Sequence, residues 1–281
     1  MKNNKNKGYQ NYFRGKPMRF IFAALLFFLS VSPLYASNKV YVLVYHTFMG
    51  KKIKYDISIQ EFQKQLLDLR SHGFSFISFD DIKYRKVSGD KNILITIDDG
   101  HHTVLDAYYS VLKPLGIKPL LGINTFIIGK KPYVLTWEEL QQLTREGCAI
   151  ASHGYFHLFI NDELYTKNYR YFKLEVFESK KMLEEKLGIT VDTFVYPFGV
   201  VTDIGKQALS QAGYRYAFTI KWGPLSLPLA HNTLELPRYM YQNNWNSIAN
   251  AIIYKNKKRT PAREPEKILV STTHQLKGIH Q

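Results

Sequence analysis

From Val40 onward, short apolar runs alternate with stretches whose apolar residues recur at helical spacing, the pattern of an α/β fold on a mainly parallel sheet. The runs predict strands over residues 40–45, 76–79, 93–97, 120–123, 148–151, 193–196 and 216–219. Between them Ile59, Phe62, Leu66 and Leu69 share one helical face, as do Phe172, Val176, Leu183 and Leu187. Thr136 and Glu139 form a capping box that opens a helix ending at Gly147. These stripes are read as core packing. About seven strands with intervening helices fit either an irregular (β/α) barrel or an open doubly wound sheet, and pattern alone leaves both open.

Composition adds little to this picture until it is divided by region. The 281 residues are 45% hydrophobic and 22% charged, ordinary for one sizeable globular domain. The net charge of +15 suggests nucleic acid or membrane. However, residues 1–37 contribute +6, residues 255–281 contribute +5, and the body between them only +4. A basic balance confined to the ends argues against a phosphate-binding face on the folded part, so no nucleic-acid partner is expected.

Residues 1–37 read as an export signal or N-terminal anchor. Lys16 and Arg19 precede an apolar run over 20–29, Ser32-Pro33 breaks it, and Leu34-Tyr35-Ala36 offers a cleavage site. The run is short for a bilayer span, so no stable membrane span is expected once the signal is removed. Met18 would itself open a conventional signal, which makes it a rival to Met1 as the start. An exported protein of the periplasm, cell surface or medium is expected. The main folded domain is placed at 38–254, followed by a basic linker and tail at 255–281 with one more possible strand at 268–272. The lone Cys148 sits in an apolar strand, where it can form no internal disulfide, and it is too far from the signal to carry a lipid anchor.

Candidate chemistry lies in three short strings: Thr96-Ile97-Asp98-Asp99-Gly100, His153-Gly154-Tyr155-Phe156-His157 and Tyr196-Pro197-Phe198-Gly199. Adjacent strand residues point to opposite faces, so Asp98 and Asp99 can share one site only if the strand is already breaking, which Gly100 permits. Alone, an Asp-Asp-Gly tripeptide is as well explained by capping a helix that begins near Thr103. Two imidazoles four positions apart change that reading, because both rings can face one ion. Zinc needs three protein ligands if one position is to stay open, and Asp99, His153 and His157 supply them. Such a set also accepts cobalt, nickel or manganese.

These strings resemble the motifs of the polysaccharide deacetylases, the chitooligosaccharide deacetylase-like carbohydrate esterases, over roughly residues 40–245. The resemblance implies an irregular (β/α) barrel of fewer than eight complete units. It also implies that Asp99, His153 and His157 hold a divalent metal, that Asp98 is the general base, and that the backbone N–H of Phe198 helps to bind the oxyanion. Gly154 stands where the family usually has Ser or Thr, which removes a possible supporting hydroxyl. Phe198 replaces the usual Tyr. Val195 replaces an Arg found in many members, which points to the permuted subgroup resembling exopolysaccharide (poly-N-acetylglucosamine) deacetylases.

A general acid must protonate the departing amine, and histidine suits that task near neutral pH. His46 matches the permuted subgroup, whereas His274 resembles the unpermuted arrangement; His46 is preferred because a basic, proline-containing linker separates His274 from the body. His101 and His102 receive no catalytic role. Arg238 resembles the arginine that pairs with the base aspartate, with a surface arginine as the plain alternative. Trp222 and Trp245 offer sugar-stacking faces, although core packing explains them equally. The expected function is metal-dependent removal of N-acetyl groups from N-acetylglucosamine units of an extracytoplasmic polysaccharide. Its rivals are deacetylation of peptidoglycan or O-acetyl esters, and a catalytically impaired carbohydrate-binding protein on the same barrel.

Overall fold

The structure, a computed structural model, describes residues 38–254 apart from 52, 230, 231 and 241–244. The expected export signal, the tail with its strand at 268–272, and His274 lie outside the described residues. Strands β1 (Asn38–Tyr45), β2 (Ser75–Phe76), β3 (Asn92–Asp99), β4 (Leu120–Ile123), β5 (Ala149–Ser152), β6 (Thr193–Val195), β7 (Tyr216–Phe218), β8 (Leu225–Leu227) and β9 (Tyr239–Met240) form one sheet. The order β7-β6-β5-β4-β3-β1 is parallel throughout. β2 pairs beside the start of β3, and antiparallel β8 covers the start of β1.

The two ends of this order are bridged by residues 236–240. Leu236 pairs with Phe218 of β7, the Arg238 N–H reaches the Lys221 carbonyl at 3.0 Å, and Tyr239 and Met240 then pair with Leu43 and Val44 of β1. Seven parallel staves thus make an irregular barrel, the last of them too short and polar to be read as a strand from sequence. Helices α1 (Ile59–Ser71), α2 (Phe79–Lys83), α3 (Thr103–Ala107), α4 (Trp137–Arg145), α5 (Asp162–Lys167), α6 (Tyr169–Lys173), α7 (Ser179–Leu187), α8 (Asp203–Gln211) and α9 (Trp245–Ala249) fill the connections.

Strand parity divides the core into two. Tyr41, Leu43 and Tyr45 of β1 and Ile93, Ile95 and Ile97 of β3 pack with Phe62, Leu66 and Leu69 of α1 outside the barrel. Val40 and Val42, Leu94, Leu120, Ala151, Val195, Phe218 and Leu236 fill the inside. Continuing the inward series up each stave gives His46 after β1, Thr96 and Asp98 on β3, Gly122 on β4, His153 after β5 and Arg238 after Leu236. Period-two alternation therefore delivers most of the candidate chemistry to the carboxyl mouth of the barrel, where sites of this architecture lie.

Most expected elements stand within a residue or two of their predicted bounds. Two differ. The strand expected over 76–79 stops at Phe76, because Ser78 and Asp81 close a capping box that starts α2. The helix after the Asp-Asp-Gly string does begin at Thr103, but its cap is His102 with no side-chain bond, so neither aspartate is spent on it.

Candidate active site

Asp98 is the last inward residue of β3 and is 1% exposed. Its Oδ1 accepts a hydrogen bond from Arg238 Nη1 at 3.0 Å. Arg238, itself 1% exposed, also donates from Nη1 to Thr96 Oγ1 at 3.1 Å and from Nε to the Thr219 carbonyl at 2.9 Å. The Thr96 hydroxyl in turn donates a hydrogen bond to the Leu43 carbonyl at 3.1 Å. Burial would push the Asp98 carboxyl up, but the guanidinium and the neighbouring imidazoles outweigh it and hold Asp98 below the usual carboxylate range. Gly122, paired with Asp98 across β3 and β4, makes room: a Cβ there would stand 2.9 Å from Asp98 Oδ1. The plain alternative of a surface arginine is overturned by the burial of Arg238.

Parity alone would aim Asp99 away from the barrel. Instead the backbone turns left-handed at Asp99 (φ 76°) and Gly100 (φ 84°), which brings the side chain back over the mouth. The break therefore starts one residue before the glycine expected to allow it. Asp99 Oδ1 then lies 3.4 Å from His153 Nε2 and 3.8 Å from His157 Nε2, and the two imidazole nitrogens are 3.1 Å apart. His153 donates from Nδ1 to the Val195 carbonyl at 2.8 Å, which leaves the Nε2 lone pair facing the cluster. One ligand atom from each of Asp99, His153 and His157 falls within 4.8 Å of the others, a spacing that suits a single divalent ion. Burial drives the His157 imidazole down to about 4, helped by His153, so it is neutral and able to ligate at ordinary pH. Asp99 is held low despite its own desolvation because a protonated His153 hydrogen-bonds it and faces it with charge, and binding an ion would displace that Nε2 proton.

The loop between the two histidines is held by a residue the sequence reading passed over. Glu175, fully buried, accepts the N–H groups of Tyr155 at 3.0 Å and Phe156 at 2.6 Å, and also that of Leu158. Burial pushes its carboxyl up, and these three donors offset part of that cost. A Cβ on Gly154, whose φ is 79°, would fall 2.1 Å from Glu175 Oε2. The glycine found in place of a hydroxyl residue is thus what lets this carboxylate into the loop. The available signal was an acid three residues after Phe172 on the same apolar helical face.

His46 follows Tyr45, which pairs with Ile97, so it stands level with Asp98 at the mouth. Its ring stacks on Tyr55 at 4.8 Å and its Nδ1 is buried with no hydrogen-bond partner among the described residues. Burial lowers its pKa, while Asp98 and Asp99 pull the other way. Phe198, left-handed at φ 59°, lies in the turn Pro197–Gly199, with its ring 4.5 Å from His157 and stacked 4.1 Å from Phe159. Trp222 is exposed and packs edge-on against Tyr239, and Trp245 is partly buried against the outer core. Aromatic rings that stand at the cluster include Phe198 and Phe159, which stack on each other beside His157.

A parallel barrel here carries an Asp-His-His cluster that could hold a metal ion beside a second, arginine-paired aspartate, an arrangement suited to metal-assisted hydrolysis. Residues 85–217 match the family model described as polysaccharide deacetylase, and over that stretch the chain is similar to that family. YxkH of Bacillus subtilis (strain 168) is 26% identical over 193 residues, covering 67% of each chain. A Staphylococcus aureus protein named poly-beta-1,6-N-acetyl-D-glucosamine N-deacetylase is 24% identical over 191 residues, 63% of this chain and 66% of that one. The chain thus spans about two thirds of the length of these curated relatives. The structure of IcaB from Ammonifex degensii shares the fold with a TM-score of 0.67 at 24% identity, covering 77% of this chain and 97% of that chain.

Proposed function

We propose that this protein is an exported, metal-dependent deacetylase that removes N-acetyl groups from N-acetylglucosamine units of an extracytoplasmic polysaccharide, with zinc as its ion. The observation that carries the reading is the convergence of Asp99, His153 and His157 within 4.8 Å, next to an Asp98 that Arg238 keeps ionised. The similarity to a named poly-beta-1,6-N-acetyl-D-glucosamine N-deacetylase supports the choice of polymer.

Asp99, His153 and His157 would hold the ion, whose positive charge acidifies water and polarises an amide carbonyl. Asp98 takes a proton from the attacking water, a role that requires the carboxylate form that Arg238 favours. The Phe198 N–H donates to the oxygen that gains negative charge as the carbonyl becomes tetrahedral; replacing the usual Tyr by Phe leaves that donor in place. As the C–N bond breaks, the nitrogen takes a proton from His46 and leaves as the free amine of glucosamine, with acetate as the other product. The His46 Nδ1 has no hydrogen-bond partner among the described residues.

The binder reading rests on Gly154, Phe198 and the choice between His46 and His274 as acid; the first two have a constructive place in the geometry, and with the ligand and base set complete catalysis is preferred. The test is acetate release from poly-N-acetylglucosamine, peptidoglycan and an O-acetylated polymer, side by side, with metal-stripped protein and Asp98→Asn as controls. Release from the first substrate alone, abolished in both controls, is expected. Metal binding with no turnover on any substrate would leave the carbohydrate-binding reading in its place.

A further inference from the structure

His46 stands at the barrel mouth without the usual means of aiming its ring. A catalytic imidazole is ordinarily oriented by a hydrogen bond at its second nitrogen. The His46 Nδ1 is buried with no such partner among the described residues, which leaves Nε2 as the nitrogen to face a departing amine. Packing must then set the plane of the ring.

The contact in that place is Tyr55, whose ring lies 4.8 Å from the His46 ring with 26° between the two planes. A chain that doubles back brings it there. The Ile57 N–H bonds the Thr47 carbonyl at 3.1 Å and the Thr47 N–H reaches the Tyr55 carbonyl at 3.4 Å, so Tyr55 runs beside the residue that follows His46. Asp56, 2% exposed, closes the turn: it accepts the Thr47 hydroxyl at 2.7 Å and the N–H groups of Met49 and Lys51 at 2.8 and 2.5 Å. Tyr55 itself is left-handed at φ 67°, a conformation disfavoured for any residue with a Cβ, which persists only where neighbours over-determine it. Lys54 Nζ, 4.6 Å from the centre of the Tyr55 ring, adds a cation–π contact that steadies it further. An aromatic face suits the task, because it restrains the imidazole plane without claiming either nitrogen and tolerates the charged form that carries the proton to be given.

We infer that Tyr55 is the positioning residue of the acid: its ring face aims His46 Nε2 at the leaving nitrogen, and Asp56 holds Tyr55 in place. The inference rests on the reading of His46 as the acid of an amide hydrolase. It adds to that reading a residue that acts through His46 alone.

The test compares the zinc-loaded wild type with Tyr55→Phe, Tyr55→Leu, His46→Ala and the His46→Ala, Tyr55→Leu double variant on two substrates. One is a β-1,6-linked N-acetylglucosamine pentamer, whose amine must be protonated to leave. The other is 4-nitrophenyl acetate, whose phenolate leaves unaided and needs no acid. Tyr55→Leu keeps bulk but loses the flat face, and is expected to lower kcat on the pentamer about 10- to 100-fold, the scale of a misplaced catalytic group, with KM little changed. Its rate on the ester should stay within about twofold of wild type. Tyr55→Phe keeps the face and should retain wild-type rates on both. His46→Ala should show the same selectivity with a larger loss, and adding Tyr55→Leu to it should cost nothing more. Equal loss on both substrates would mean that Tyr55 supports the fold or the attack rather than the acid, and Tyr55→Phe as slow as Tyr55→Leu would mean that the hydroxyl acts; either result overturns the inference. Proton NMR gives a readout apart from turnover. The carbon-bound ring protons of His46 should resonate upfield of those of an exposed histidine in wild type and Tyr55→Phe, and move downfield in Tyr55→Leu; no upfield displacement in wild type would overturn the stack. The two failures are separable: His46→Ala without a selective loss overturns the choice of acid and the role of Tyr55 with it, whereas a selective loss in His46→Ala beside an unaffected Tyr55→Leu overturns Tyr55 alone.

Discussion

The two halves of the site are built by different physics. The inner half, Asp98, Arg238 and His153, stands on strand parity and buried hydrogen bonds, and each of the three side chains is at most 3% exposed. The outer half, Asp99, His157 and Phe198, stands on backbone: all three are left-handed, with φ of 76°, 63° and 59°. Such conformations cost of order 1–3 kcal/mol each outside glycine and persist only where surrounding contacts over-determine them. Charge is thus fixed in the inner half by partners, and position is fixed in the outer half by strained backbone, tied at the histidine loop by Glu175. The lesson is that the inner half should fail by losing charge or fold, and the outer half by losing geometry.

The largest expected effect is on the inner half's chemistry. Asp98→Asn should cut turnover by roughly 10²–10⁴, the range for a lost general base, while metal content measured by elemental analysis stays at one ion per chain. Loss of metal together with activity would mean that Asp98 belongs with the ligands, and the division drawn here would collapse. Next, Arg238→Met leaves a buried carboxylate without its counter-charge and should destabilise the protein by about 3–5 kcal/mol in urea unfolding. A cost below about 1 kcal/mol would show that the pair is not what fixes this half.

The outer half is probed by Gly154→Ala. Its added methyl meets Glu175 Oε2 at a position where φ is 79°, so a loss of about 1–3 kcal/mol is expected together with weaker metal retention in a chelator competition. Wild-type retention would remove Glu175 as the tie. The smallest effect is a pH slope. Because burial raises the folded-state pKa of Glu175 above its unfolded value, its contribution is fully present below about pH 4.5 and is lost as pH rises through the folded value. Glu175→Gln carries no such titration, so the thermal midpoint of wild type minus variant should shrink between pH 4.5 and 7. A difference that grows over that interval would contradict the assigned direction.

The sequence was sufficient for much of this. Apolar runs at β3, β4 and β5 located the strands within a residue or two, because a strand buried on both faces has no polar positions to blur its ends. The Asp-Asp-Gly and His-x-x-x-His strings were legible for a related reason: ligands of one ion come from a few short segments, and the spacing of two of them is set locally. Glu175 was legible only as an acid on an apolar stripe, and Tyr55 carried no local signal at all.

What the chain's order of residues decided alone was the parity of each stave and the chemical type at each barrel mouth position, since alternation is a property of a single strand. Which stave neighbours which, and hence that Arg238 meets Asp98 across 140 residues, was decided only by closure of the ring through residues 236–240. Three backbone reversals at Asp99, His157 and Phe198 were likewise beyond local reading. Their strain is tolerated because distant groups hold it in place, and that support exists only once the barrel has formed.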